Sequence, residues 1–364
     1  MTSPGNNTYE MLPAFISGIP APKFLSGFFQ ADGRNTFHNQ QKIQIDKEAE
    51  AERVATPVDG VGSNYNVNNS TNRDEMEVTP PVYKESEAIG VDKLYNRATG
   101  MNPYESNDFQ RNGVSAALTV AERLSRKIRR AMELQASQIL TTGKLSLTDA
   151  TGAVKYALDY GMSSALFPTA SVAWSSSGTA KPLTDLGNLC GVIRLGGNDA
   201  KVLILDGLSF EAAMAVDDFK ERFTAVNANV GALQQMSNPG TREGNFRGRL
   251  QVEDWLLDVY TYGAVYDGIT TGTAGTKYVP KSTAIVMSGG RLDATFGNIP
   301  RFPGEDQALK YLPGRISKVD ARQDMNFNAW FDKSRTNLEI GVGSRVLLIP
   351  TDKTSFGCLD TDLA

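Results

Sequence analysis

Chemistry that needs histidine or cysteine has little to work with in this chain. Its 364 residues include one histidine, His38, and two cysteines, Cys190 and Cys358. A lone imidazole has no second ligand beside it, which nearly removes His-ligated metal sites and His-based acid–base catalysis. His38, in "NTFHNQQ", reads as a polar surface or hinge residue. The cysteines lie far apart in no metal-like spacing. They read as free thiols of a reducing compartment, not as a disulfide scaffold.

Long apolar runs are missing as well. No stretch approaches the roughly 20 residues that span a bilayer. The opening "MTSPGNNTYEMLPAFISG" has neither a basic leader nor a long apolar core, so the expectation is a soluble protein made in a cytoplasm. The formal net charge is -4, which argues against a dedicated nucleic-acid binder but leaves room for a local basic patch. With 40% hydrophobic and 21% charged residues the chain is globular, and its length allows two domains.

Catalytic and nucleotide-binding patterns also fail to assemble. "GTAGTKY" (Gly272 to Tyr278) lacks P-loop spacing, and "DGVGSN" is not G-x-G-x-x-G. "VLILDGLSFEAAMA" is the most nucleotide-like unit, yet it carries one glycine, Gly207, where the dinucleotide fingerprint needs three. It reads as a packed α/β unit. Glu253, Asp254 and Asp258 flank Trp255 and read as a solvated face. Asp320, Asp324 and Asp332 are irregularly spaced and unlike a calcium loop. Asp206 closes a buried strand, where α/β enzymes keep functional acids, but a turn or helix-cap role comes first. No serine elbow, Cys–His pair or metal cluster is present, and no cofactor is implied.

What is there is architecture. Residues 1–40 place Phe15, Phe24, Phe28 and Phe29 among Pro13, Pro20 and Pro22. The prolines forbid one long helix, so this reads as an arm whose aromatics are either core or an intersubunit anchor. Residues 41–90 read as a long hairpin. "KIQIDKEAE" and "EMEVTPPVYK" alternate, around a Gly-, Asn- and Ser-rich tip carrying Val58, Tyr65 and, at its far edge, Arg73. Residues 91–112 read as a link.

"LTVAERLSRKIRRAMELQASQILTTGKL" (Leu118 to Leu145) is the strongest helix signal. Val114, Ala117, Leu118, Ala121, Leu124, Ile128, Met132, Ala136 and Ile139 share one side; Arg123, Arg126, Lys127 and Arg130 share the other. Gly143 follows as a stop signal. The length is roughly 40 Å, enough to cross a domain. "GAVKYALDYG" then reads as a half-buried strand and "SSALFPTASVAWSSSGTAKP" as loop. "PLTDLGNLCGVIRLGG" reads as a helix, followed by a strand over Val202 to Leu205 and a helix from about Ser209. Strands recur to the end, and the last are expected to pack back on the long helix.

The order of these features resembles the lambda-type major capsid proteins of tailed bacteriophages, which have the HK97-like fold. The resemblance rests on "LQASQILTTGKLSLTDATGAVKYALDYG" and on "ARQDMNFNAWFDKSRTNLEIGVGSRVLLIPTDKTSFGCLD". It implies an α+β chain with an arm at 1–40 and an extended loop at 41–90. A peripheral domain would comprise 91–169 and 301–364, with a spine helix at about 114–142, and an axial domain 170–300. It implies a non-enzymatic subunit of hexamers and pentamers in an icosahedral virion shell around double-stranded DNA, assembled in the host cytoplasm. Scaffold, portal and decoration proteins would be partners. Phe15, Phe24, Phe28, Phe29, Val58, Tyr65 and Arg73 would contact neighbouring subunits. The basic face, Arg123, Arg126, Lys127 and Arg130, would be either a solvated face or a lumen-facing surface for DNA or scaffold. The rival readings are an α/β enzyme with the hairpin as a lid near Asp206, and another phage assembly protein such as a tail-tube subunit.

Overall fold

The computed structural model describes residues 24–29, 37–38, 42–48, 73–90, 109–149, 151–228, 244–267, 275–289, 292–297, 299, 324–331 and 337–363. After a 3-10 turn at Ser26–Phe28 come strands β1 (Phe37–His38), β2 (Ile43–Glu48), β3 (Arg73–Val78) and β4 (Tyr83–Gly90). Helix α1 (Phe109–Thr142) leads into β5 (Lys144–Thr148) and β6 (Val154–Asp159). The middle holds α2 (Pro182–Leu195), β7 (Val202–Leu205), α3 (Gly207–Met214), α4 (Asp217–Ala228), β8 (Asn245–Val252) and β9 (Trp255–Thr261). The rest is strand: β10 (Val265–Tyr266), β11 (Thr276–Lys277), β12 (Thr283–Met287), β13 (Leu292–Gly297), β14 (Asn326–Phe331), β15 (Asn337–Ser344), β16 (Val346–Pro350) and β17 (Phe356–Asp360).

The centre is a five-stranded sheet in the order β17-β12-β7-β9-β8, with β7 and β9 parallel. Successive side chains along a strand point to opposite faces, so a central sheet can feed two cores at once. Ile204, Ile285, Met287, Phe356 and Cys358 enter the core shared with α1. Their strand neighbours Leu203, Leu205, Ala284, Val286 and Leu359 enter the core beneath the helices α2, α3 and α4. All of these are buried. A three-stranded sheet, β1-β13-β16, extends the first core. A third core lies between the front half of α1 and the sheet β14-β15-β4, built from Ala117, Val120, Ala121, Leu124, Ile128, Ile89, Ile340 and Val342.

Several expectations are met. The predicted apolar side of α1 is buried at Ala117, Ala121, Leu124, Ile128, Met132, Ala136 and Ile139, and Leu118 is half-buried. The helix stops where Gly143 takes φ +67°, a left-handed value that glycine adopts without a Cβ penalty. β2 and β3 form the expected antiparallel ladder, Ile43 opposite Val78.

Others are corrected. "EMEVTPPVYK" is not one strand. Pro80 and Pro81 lack the N–H a ladder needs, and the chain breaks between β3 and β4. β4 then pairs with β15 rather than with the hairpin, so the hairpin ends at Val78 and not at residue 90. α1 begins at Phe109, inside the expected link, and runs through Gly113 despite that residue's poor helix propensity. The boundary expected at residue 300 does not follow the sheets. β13 pairs with β16, and β17 joins β12 in the central sheet.

Ile204 sits in the middle strand of the central sheet at 0% exposure. Ile204→Ala is expected to cost about 2–5 kcal/mol, the range for truncating a buried aliphatic side chain. Denaturant unfolding followed by circular dichroism measures it; a loss below about 1 kcal/mol would mean that this core is not packed as described.

Candidate functional site

α1 presents two polar surfaces, and the buried one is the more informative. Glu133 and Gln135 are 0% exposed, and Ser125 and Ser137 are also buried. A buried polar group must be hydrogen-bonded or it costs stability, and each of these is. The Oε1 of Glu133 accepts from the Leu25 amide at 2.7 Å and the Tyr262 hydroxyl at 2.9 Å. Its Oε2 accepts from the Ser26 amide at 3.0 Å and the Ser26 hydroxyl at 2.7 Å. One carboxylate thereby joins the N-terminal turn, the long helix and the end of β9.

Neighbours within about one turn of the helix repeat the device. Gln135 donates from Nε2 to the Tyr83 hydroxyl at 2.6 Å and the Val346 carbonyl at 3.3 Å, and its Oε1 accepts from the Leu348 amide at 3.3 Å. Ser137 donates to the Tyr278 carbonyl. Just beyond the helix, the buried Tyr160 donates to the Leu348 carbonyl at 2.6 Å. Burial pushes the Tyr83 phenol up to about 12, against a smaller lowering effect of its bond with Gln135. Burial raises Tyr156 to about 12 and also pushes Tyr160 up. The sequence reading missed Glu133, Gln135 and Ser137 because it traced the face by apolar residues alone. The signal was available at Gln135, three residues after Met132 and four before Ile139, hence on their face.

The exposed surface is the basic face. Arg123 pairs with Glu87 and Arg126 with Glu122; Lys127 Nζ lies 2.6 Å from Glu85. The β4 carboxylates point at α1 because Glu85 and Glu87 alternate with the outward Lys84, Ser86 and Ala88. Arg130 is exposed, and Arg129, absent from the sequence reading, pairs with Asp324.

The arm residues divide. Phe24 and Phe29, expected at a subunit contact, lie in the chain's own core at 0% and 5% exposure, which is a correction to that expectation. The Phe24 ring packs 4.8 Å from that of Tyr262 and lies against Gly244, where no side chain would fit. Phe28 is half-buried at the same core's edge. Phe15, Val58 and Tyr65 lie outside the described residues, and of Arg73 the structure describes the backbone at the start of β3.

Asp206 caps α3, its carboxylate accepting from the Leu208 and Ser209 amides at 3.2 and 3.0 Å. Both cysteines are buried, and burial pushes each thiol up to about 12, which holds them as weak nucleophiles. Among the described residues no group of three or more His, Cys, Asp or Glu is placed to hold a metal ion, and no helix is long and apolar enough to cross a membrane. A cleft of about 270 Å³ lies on the outer face of β14-β15-β4, lined by Lys84, Ser86, Asn326, Asn328 and Trp330. The Trp330 ring covers Gly341 closely enough that a Cβ there would come within 2.7 Å of it. The described geometry fastens elements together.

The family model for phage major capsid protein E matches residues 14–325. No curated protein sequence matches the chain. Among solved structures, a prophage protein of E. coli CFT073 assigned as a capsid protein is similar over 97% of this chain and 98% of its own, with a TM-score of 0.65 at 14% identity. The capsid asymmetric unit of cyanophage A-1(L) is similar over 95% of this chain and 94% of that one, with a TM-score of 0.53 at 11% identity. A phage-related protein of Bordetella bronchiseptica RB50 is similar over 98% and 97%, with a TM-score of 0.53 at 11% identity. The fold is the HK97-like capsid fold.

The two polar surfaces of α1 should respond differently to substitution. Gln135→Leu is expected to cost about 1–3 kcal/mol for each buried group it leaves unsatisfied. Arg123→Gln and Lys127→Gln should each cost less than about 1 kcal/mol, and less again in high salt. Thermal unfolding of the three variants tests the contrast. The raised phenols predict an alkaline limit. In the unfolded chain Tyr83 and Tyr156 ionise near the ordinary value of 10, in the folded chain near 12. Their contribution to stability is therefore full below pH 10 and lost as pH rises towards 12. Unfolding monitored at stepped pH, with Tyr83→Phe narrowing the loss, checks the sign.

Proposed function

The chain belongs to the phage major capsid protein E family, and from that membership we propose how its parts serve the shell that such subunits form. The observation that carries the reading is the family match over residues 14–325, on a chain with the HK97-like capsid fold. The protein is a major capsid protein, a structural subunit of an icosahedral virion shell. We infer that it assembles through hexamers and pentamers around double-stranded DNA in the host cytoplasm. The scaffold, portal and decoration proteins are its further partners.

Within that reading, the β2-β3 ladder carries the extended loop to a neighbouring subunit, with Val58, Tyr65 and Arg73 near the contact. Supporting this, β2 and β3 form a sheet of two strands that joins no other among the described residues. Such a ladder has unpaired edges, and an edge can gain main-chain hydrogen bonds from another chain. Because Phe24 and Phe29 are used inside the chain, the arm's intersubunit role falls to residues before 24, Phe15 among them, and to the partly exposed Phe28. Residues 170–300 supply the axial part, and α1 is the spine of the peripheral part.

Contact with packaged DNA, if α1 faces the lumen, falls first to Arg130, since Arg123, Arg126 and Lys127 have carboxylates beside them. Such contact would be independent of sequence and weakened by salt. The enzyme reading loses its named acid, because the Asp206 carboxylate is occupied in capping α3.

Deleting residues 56–72, which leaves both strands of the ladder in place, should abolish closed shells while subunits stay soluble or stall as capsomers. Light scattering and negative-stain microscopy, with and without candidate scaffold, measure this. Normal shells from the deleted chain would remove the loop from assembly. An intact chain that stays monomeric under all conditions would count against the assembly reading itself.

A further inference from the structure

Glu133 does more than fill a buried polar position. It is 0% exposed, and its four donors come from two places: three from Leu25 and Ser26, one from Tyr262. Each carboxylate oxygen takes one backbone amide and one hydroxyl. A hydroxyl can rotate to suit a new partner; a backbone N–H cannot. The position therefore demands an acceptor at both oxygens. An ionised carboxylate meets that demand and a carboxamide does not, since either orientation of a glutamine sets an NH2 group against a backbone N–H.

We propose that Glu133 is a latch. Its charge keeps residues 24–29 docked on α1, and the same contact ties that docking to the position of α1 against the central sheet. Hydrogen bonds to a charged acceptor are stronger than neutral ones, and this segment donates three of them from two residues. The docked turn places Phe24 in the aromatic cluster with Tyr260 and Tyr262 and closes the core over Gly244. The fourth bond reaches Tyr262, which follows β9. A shift of α1 against that sheet thus strains the same carboxylate that holds the turn. The segment is set to leave as a unit when the carboxylate is displaced. This inference stands on the single-chain geometry and does not depend on the assembly reading.

The test is hydrogen exchange by mass spectrometry on the full-length chain and its variants. In Glu133→Gln, exchange in residues 24–29 should rise about tenfold or more, while Val202–Leu205 in the central sheet stays protected. Tyr262→Phe keeps both amide bonds and should raise exchange in 24–29 by much less. Ser26→Ala removes one donor and should give an intermediate rise, and it carries the test if Glu133→Gln does not fold. Wild-type protection of 24–29 in a folded Glu133→Gln chain would overturn the latch. So would a rise spread equally over Val202–Leu205, which is the signature of general loosening. In Ser26→Ala, no change in 24–29 would do the same.

Discussion

A carboxylate buried in a protein interior is tolerable only when donors replace its water, and here that requirement falls on Glu133. Its donors come from the N-terminal turn and from the strand end after β9, so satisfying one charge fixes three parts of the chain relative to one another. Gln135 and Ser137 extend the principle to β4, β16 and the segment before β12. Apolar packing alone would allow α1 to slide or rotate by small amounts, because dispersion and hydrophobic terms are non-directional. Hydrogen bonds of this kind specify one register. That suits a helix contacted by elements distant in sequence, from residue 25 to residue 348.

The central sheet has the complementary role. With one core on each face, it cannot shift without disturbing both. Its strands come from β7, β8, β9, β12 and β17, so the last strand of the chain closes a sheet whose centre was laid down far earlier in sequence. Such long-range pairing makes the two expected domains interdependent. Gln135 ties the long helix to two further sheets at once, bonding Tyr83 of β4 and the backbone of β16.

The sequence was most readable where one local rule decides the structure. The 3.6-residue periodicity of α1 is strong enough to place its buried face residue by residue, and Gly143 marks its end. The strand–turn–helix at Val202 to Met214 was equally plain, including the capping place of Asp206. Reading failed where partners far away in sequence decide. Nothing local shows that β4 leaves the hairpin to pair with β15, or that Phe24 finds Tyr262 rather than a neighbouring subunit. The basic face was visible as a stripe. Its carboxylates on β4 were not, because pairing across 36 and 42 residues leaves no local trace.

Those carboxylates change how the stripe should be understood. An exposed ion pair contributes little to stability, because each partner gives up good hydration and rotamer freedom to form it. Pairing Arg123 and Lys127 with β4 is therefore a weak way to hold the sheet, which the apolar contacts of Ile128, Ile340 and Val342 already hold. What the pairs do is cancel charge locally on a surface that would otherwise repel itself, since Arg123, Arg126, Lys127 and Arg130 lie within two turns. A surface so balanced attracts a polyanion less strongly than the count of cations suggests, and salt weakens what remains. For a shell subunit present in many copies this has a consequence. Even a small residual charge per subunit sums over the lattice.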